Sequence, residues 1–254
     1  MMPIPPQWDL KGKAALVTTG GHFATPVLVA ALAEAGARVA VAGGPQEALE
    51  AARQAARPYS PDTAILAADV TDPASVRRTV QQAVEVHGRL DALVNNCQMM
   101  AAKPFLETTP QEFDQMLAQN LRSVFLFCQA AGEHMVSRSR GRIVNVSSVL
   151  AERGVSNLAG YCASMAGIVQ LTRVLGVEWG RTGIRVNGIG PGWFIGEDRS
   201  LEDQRQELLV RFLPSRRYGH PRDLAGLLVY LCSDACDLVT GHTIFVDGGA
   251  LAHL

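Results

Sequence analysis

Apolar and β-branched residues gather in seven short runs, separated by longer stretches in which apolar positions return every three or four residues. The runs are Ala14 to Thr18, Arg38 to Ala42, Thr63 to Ala67, Ala92 to Asn95, Arg142 to Ser147, Arg185 to Ile189 and Thr243 to Val246. Near-continuous runs of this length predict strands covered on both faces, as in a parallel sheet. Helical spacing over Val27 to Ala35, Glu47 to Arg57, Ala74 to His87, Gln111 to Val136, Leu158 to Trp179 and Asp223 to Leu231 predicts the intervening helices. Pro26 and Pro73 stand near helix starts, and Gly36, Gly88 and Gly183 stand just past helix ends, each where its backbone preference is useful. Thr25 reads as the N-cap of the first helix, with Pro26 as its first turn. With right-handed crossovers, this alternation predicts a doubly wound α/β sheet of seven parallel strands in a single domain over residues 1–254. Residues 193–217 break the rhythm with mixed charge, and a segment placed there is expected to lie over a ligand crevice as a lid.

Composition narrows the function classes. The 254 residues are 48% apolar, enough for a sizeable core, and 23 Lys+Arg against 24 Asp+Glu leave a net charge of -1. Without a long block of like charge, neither nucleic acid nor an anionic membrane is an expected partner. The five cysteines contain no Cys-x-x-Cys pair and suggest reduced thiols; Cys232 and Cys236 read as buried structural thiols, and no metal site is expected. The first ten residues lack the basic and apolar regions of a signal peptide, and no run reaches the ~18 apolar residues of a membrane span. A cytoplasmic protein is expected.

Several short motifs follow one another in order. Asp69-Val70 follows the third run, Asn95-Asn96 the fourth, and Asn120 lies in a long helix. Asn145-Val146-Ser147-Ser148 closes the fifth run, Tyr161-Cys162-Ala163-Ser164 begins thirteen residues after Ser148, Arg185-Val186-Asn187 leads to Pro191-Gly192, and Val246-Asp247-Gly248-Gly249 comes last. Together, from about Leu10 to Gly249, these residues resemble the short-chain dehydrogenase/reductase family. The resemblance implies a Rossmann-like domain and NAD(P)-dependent interconversion of alcohol and ketone. It further implies a tyrosine acid/base at Tyr161, an oxygen-polarising serine at Ser148, an asparagine holding a relay water at Asn120, and cofactor contacts at Asp69, Val70, Asn95, Pro191 and Gly192. Asp69 to Pro73 reads equally as a helix start capped by Asp72.

The sequence departs from the family pattern along one ligand surface. The lysine four residues after the tyrosine is Met165, so the cation that would lower the tyrosine pKa by ~1–3 units is missing. The three glycines of the phosphate loop are Thr19, Phe23 and Thr25, with Phe23 expected to fill phosphate space. His22 reads as a solvent-facing loop residue. Gly43 stands where ribose selection is expected, Gln98 replaces a glycine beside the cofactor, and Gly196 replaces a threonine. The expectation from these departures is an inactive structural or regulatory subunit that binds no cofactor alone. It would form a homodimer or tetramer, or pair with an active paralogue, through the two long helices. The alternatives are an active oxidoreductase using NAD or NADP in an unusual site, and a binder of another small ligand.

Overall fold

A computed structural model describes residues 6–252; residues 1–5 of the opening segment and the last two of the domain lie outside the described residues. In chain order the elements are β1 (Ala14–Thr19), α1 (Thr25–Glu34), β2 (Arg38–Gly43), α2 (Gln46–Ala56), β3 (Ala64–Ala67), α3 (Pro73–His87), β4 (Ala92–Asn95), α4 (Pro110–Leu117) and α5 (Ser123–Ser137). Then follow β5 (Gly141–Val146), α6 (Ala159–Glu178), β6 (Ile184–Pro191), α7 (Leu201–Arg205), α8 (Leu208–Phe212), α9 (Arg222–Cys232) and β7 (Thr243–Val246). All seven strands pair in parallel in the order β3-β2-β1-β4-β5-β6-β7. The doubly wound sheet expected from the apolar runs is therefore present.

Successive strand residues feed opposite faces, as the pleat requires. In β1, Ala15 and Val17 join a core with Leu28, Leu49 and Leu228 of α1, α2 and α9, whereas Leu16 joins Val80, Phe127 and Ile168 of α3, α5 and α6. Each fully buried Val, Leu or Phe contributes roughly 1.5–3 kcal/mol. Gly36, Gly88 and Gly183 take positive φ at the ends of helical segments, and Asp72 caps α3 by accepting from the backbone of Ala74 and Ser75.

Two local expectations are corrected. The N-cap of α1 is Ala24, because the Thr25 hydroxyl is turned inward to Thr19 and Asn96. The helix expected over Gln111 to Val136 loosens into a π turn at Ala118–Arg122, which carries Asn120; such turns recur at functional sites. Residues 193–217 contain α7 and α8. Among the described residues no helix is long and apolar enough to cross a membrane.

Candidate active site

The sheet order reverses between β1 and β4, and their loops part there to leave a crevice at the carboxyl ends of the strands. A cavity of about 290 Å³ lies in it, reached by Asn96 beyond β4, Ser147 and Ser148 beyond β5, Tyr161 in the first turn of α6, and Pro191 and Gly192 at the end of β6. Ser148 caps its own turn by accepting from the Leu150 amide at 3.2 Å, which fixes its backbone beside Tyr161.

The Tyr161 hydroxyl donates to Gln98 Oε1 at 2.9 Å. Burial pushes its pKa up to about 12, and the neighbouring Ser148 hydroxyl only partly offsets this. Met165 is fully buried in the α3/α5/α6 core, so no ammonium group stands one helical turn from the phenol. Asn120 lies behind the site: its side chain accepts from the Met99 amide at 2.7 Å and donates to the Met99 carbonyl and Ser164 Oγ. Asn95 is also turned away, donating to Asn145 Oδ1, which belongs to a buried ladder ending on Thr172. Val70 packs in the core. The exposed Asp69 carboxylate accepts from the hydroxyl and amide of Thr71, which hold its pKa down.

The phosphate loop differs from the sequence expectation in three respects. Thr19 and Thr25 are fully buried and hydrogen bond to each other at 2.9 Å, while Asn96 Nδ2 donates to Thr25. Their side chains support the loop from beneath. Phe23 lines the crevice, its ring stacked on His22 at 4.4 Å and set against Gly196, where an added Cβ would meet it at 3.0 Å. His22, not Phe23, occupies the helix terminus, and it is largely withdrawn from solvent: its Nδ1 accepts the Ala24 N–H at 3.2 Å, and burial lowers its pKa to about 4.

Gly43 has a packing reason of its own to be glycine. At φ +123 its Cβ position would fall 2.1 Å from the Thr19 carbonyl oxygen, so glycine is required by the approach of β2 to β1. Gly44 next to it faces open space.

Two features of the loop and the strand ends bear on whether a dinucleotide could be held here. Gly21 keeps the turn bare where a Cβ would press on Pro45. Asn96 Oδ1 and Ser147 Oγ, on residues that line the crevice, are buried without a protein partner.

The family description enoyl-(acyl carrier protein) reductase matches residues 27–250. The chain belongs to the short-chain dehydrogenase/reductase family. It is 33% identical to gluconate 5-dehydrogenase of Gluconobacter oxydans, covering 100% of both chains, and 34% identical to D-threitol dehydrogenase of Mycolicibacterium smegmatis, covering 94% of this chain and 93% of that one. A gluconate 5-dehydrogenase from Burkholderia cenocepacia J2315, solved in complex with NADP and tartrate, superposes with a TM-score of 0.87 at 30% identity over 98% of each chain.

Full-length likeness to named dehydrogenases overturns the expectation of an inactive subunit. The expectation that the chain holds no cofactor loses its support, since a relative of the same fold carries NADP. The inward turn of Thr19 and Thr25, joined beneath the loop, is a feature that comparing residue types with the family's glycines does not reveal. Sequence reasoning also missed Gln98 as the acceptor for Tyr161, and it missed the apolar wall formed by Met100, Val155, Leu158 and Trp193. The unusual Gln98 was visible in the sequence; its partner was not.

Proposed function

We propose that the protein is a cytoplasmic NAD(P)-dependent oxidoreductase with an atypical cofactor site, acting on small alcohols and ketones. The observation that carries this reading is the Tyr161 phenol, flanked by Ser148, on the wall of the switch-point cavity. Asp69 would face the adenosine end of the cofactor, Gly20 and Gly21 the pyrophosphate, and Asn96, Pro191 and Gly192 the nicotinamide. The bound nucleotide supplies or accepts the hydride. Ser148 holds the substrate oxygen, and Tyr161 gives it a proton as negative charge develops there.

The protonation state of Tyr161 decides which role it can play in each direction. With its pKa pushed up to about 12 by burial, Tyr161 is a protonated phenol at pH 7. A phenol can donate a proton to a ketone oxygen being reduced, whereas alcohol oxidation needs the scarce phenolate. Homo-oligomerisation through α5 and α6 belongs to the same proposal, supported by Phe125 and Val177, which are exposed on those helices. The five cysteines, all free thiols, accord with a reducing compartment.

The test is nucleotide oxidation with NADH and NADPH over a panel of ketones, beside a Tyr161→Phe control. Turnover lost in the control is expected. Turnover equal in both proteins would remove Tyr161 from the reaction, and no turnover in either would overturn the oxidoreductase reading.

A further inference from the structure

We propose that the crevice takes a neutral, largely apolar ketone and rejects sugar acids; this substrate class rests on the oxidoreductase reading above. The cavity wall divides into two parts. One is the strand-end patch of Asn96, Gln98, Ser147, Ser148 and Tyr161. The other is an apolar surface of Phe23, Met100, Val155, Leu158, Trp193 and Phe194, contributed by four separate segments of the chain.

No lysine or arginine lies on that wall among the described residues. A carboxylate is recognised by charge-assisted hydrogen bonds, commonly from a guanidinium fork or an ammonium group. Without them, moving it from water against apolar side chains is opposed by its full desolvation. The one basic side chain present, His22, is neutral at pH 7 and already accepts a backbone N–H.

The side-chain amides of the polar patch are also engaged. Asn96 gives its backbone N–H to Thr18 and its side-chain amide to Thr25. Gln98 Nε2 serves the carbonyls of Val146 and Ser147. The Leu150 N–H is taken by Ser148, and the Gly192 N–H by Val246. Cations of the surrounding loops are paired away from the cavity: Lys103 with Glu112 at 2.7 Å, Arg217 with Asp223 at 2.7 Å, and Arg199 with Glu207. What the patch offers is a small set of neutral hydroxyls. That is enough for one carbonyl oxygen, but not for a carboxylate together with a row of substrate hydroxyls.

The named relatives include proteins acting on gluconate, so the contrast with a sugar acid is the decisive comparison. The experiment has two arms. Reduction of cyclohexanone and acetophenone is compared with reduction of 5-keto-D-gluconate, using NADH and NADPH. In parallel, binding of cyclohexanone, acetophenone, gluconate and 5-keto-D-gluconate to the intact protein is measured by calorimetry, with and without nucleotide, so that binding is read without turnover. The neutral ketones are expected to exceed the sugar acid in kcat/KM by on the order of 10²-fold or more, and to bind where the carboxylates do not. Equal or better binding of the carboxylates, or binding of neither class, overturns the substrate class. If no compound is turned over, the oxidoreductase reading falls, while the calorimetric order still decides which chemistry the wall accepts.

Discussion

Tyr161 donates its hydroxyl proton to Gln98 Oε1 at 2.9 Å, while Nε2 of the same amide donates to the carbonyls of Val146 and Ser147 at 3.0 and 3.1 Å. Those two carbonyls fix the amide orientation, since only the nitrogen end can serve them. The oxygen end must therefore face Tyr161, and the phenol must be the donor. Before its proton can reach a substrate, this bond has to be exchanged.

Gln98→Ala is expected to raise the reductive kcat roughly three- to tenfold, the kinetic equivalent of ~1 kcal/mol of hydrogen bond no longer broken. It should also lower Tm by several degrees, because the two carbonyls lose their donor. Steady-state kinetics and thermal unfolding check both effects, and an unchanged or lower kcat in a folded variant counts against a restraining role for Gln98.

The pH dependence of alcohol oxidation should reflect the same phenol. With the Tyr161 pKa raised to about 12, the oxidative kcat/KM of the native protein should climb steadily through pH 10 without an inflection. Met165→Lys would place a cation one helical turn away and bring an inflection down by ~1–3 units. The same lysine would enter a fully buried position, so Tm should fall, and pH-rate profiles on the folded fraction are the measurement. An inflection near neutral pH in the native protein would mean that another group supplies the missing cation.

The strands were readable because a parallel sheet buried on both faces demands apolar runs, and β1, with Ala15 and Val17 on one face and Leu16 on the other, is such a run. The helix ends were readable because Gly36, Gly88 and Gly183 hold positive φ. The π turn at Asn120 was not, because a shift in backbone hydrogen-bond register leaves the apolar spacing nearly unchanged. The cradle was misjudged for a similar reason. Comparing letters shows that Thr19 and Thr25 are not glycine; only the fold shows the two hydroxyls meeting beneath the loop. Gln98 finds its acceptors on the end of β5, about fifty residues away in sequence, a pairing that no local pattern contains.

His22 gives the fold an acid limit. Its pKa is lowered from 6.5 to about 4 by burial, so between those values the unfolded chain binds the proton more readily. The stabilisation is complete above pH 6.5 and is lost as pH falls toward 4, by up to about 3 kcal/mol. Protonation would also replace an acceptor with a donor facing the Ala24 N–H at the positive end of α1. His22→Ala should flatten the stability curve across this window in denaturant titrations at fixed pH. A slope equal to that of the native protein would place the acid sensitivity elsewhere.

Phe125 on α5 is about half exposed and Val177 on α6 is 84% exposed, on helices whose other faces already cover the sheet. Phe125→Asp and Val177→Asp are expected to shift a dimer or tetramer toward smaller species in sedimentation velocity. A native protein that sediments as a monomer at micromolar concentration would refute the oligomer.

Gly43 and Gly44 are adjacent in sequence and opposite in tolerance. An added Cβ at Gly43 would sit 2.1 Å from the Thr19 carbonyl oxygen at φ +123, whereas Gly44 has nothing within 4 Å. Gly43→Ala must therefore push β2 away from β1 or fail to fold, at a cost of roughly 3 kcal/mol or more. At Gly44 a longer side chain projects into free space just beyond β2, the region from which folds of this kind recognise the adenosine ribose. Gly44→Asp should favour NADH by accepting from the ribose hydroxyls, and Gly44→Arg should favour NADPH by pairing with the 2′-phosphate. The measurement is the ratio of nucleotide dissociation constants, which should move by roughly tenfold in opposite directions for the two variants, about 1.4 kcal/mol each. If both variants fold and bind while the ratio stays fixed, the ribose lies elsewhere, and the bare Gly43-Gly44 turn serves only the packing of β2 on β1.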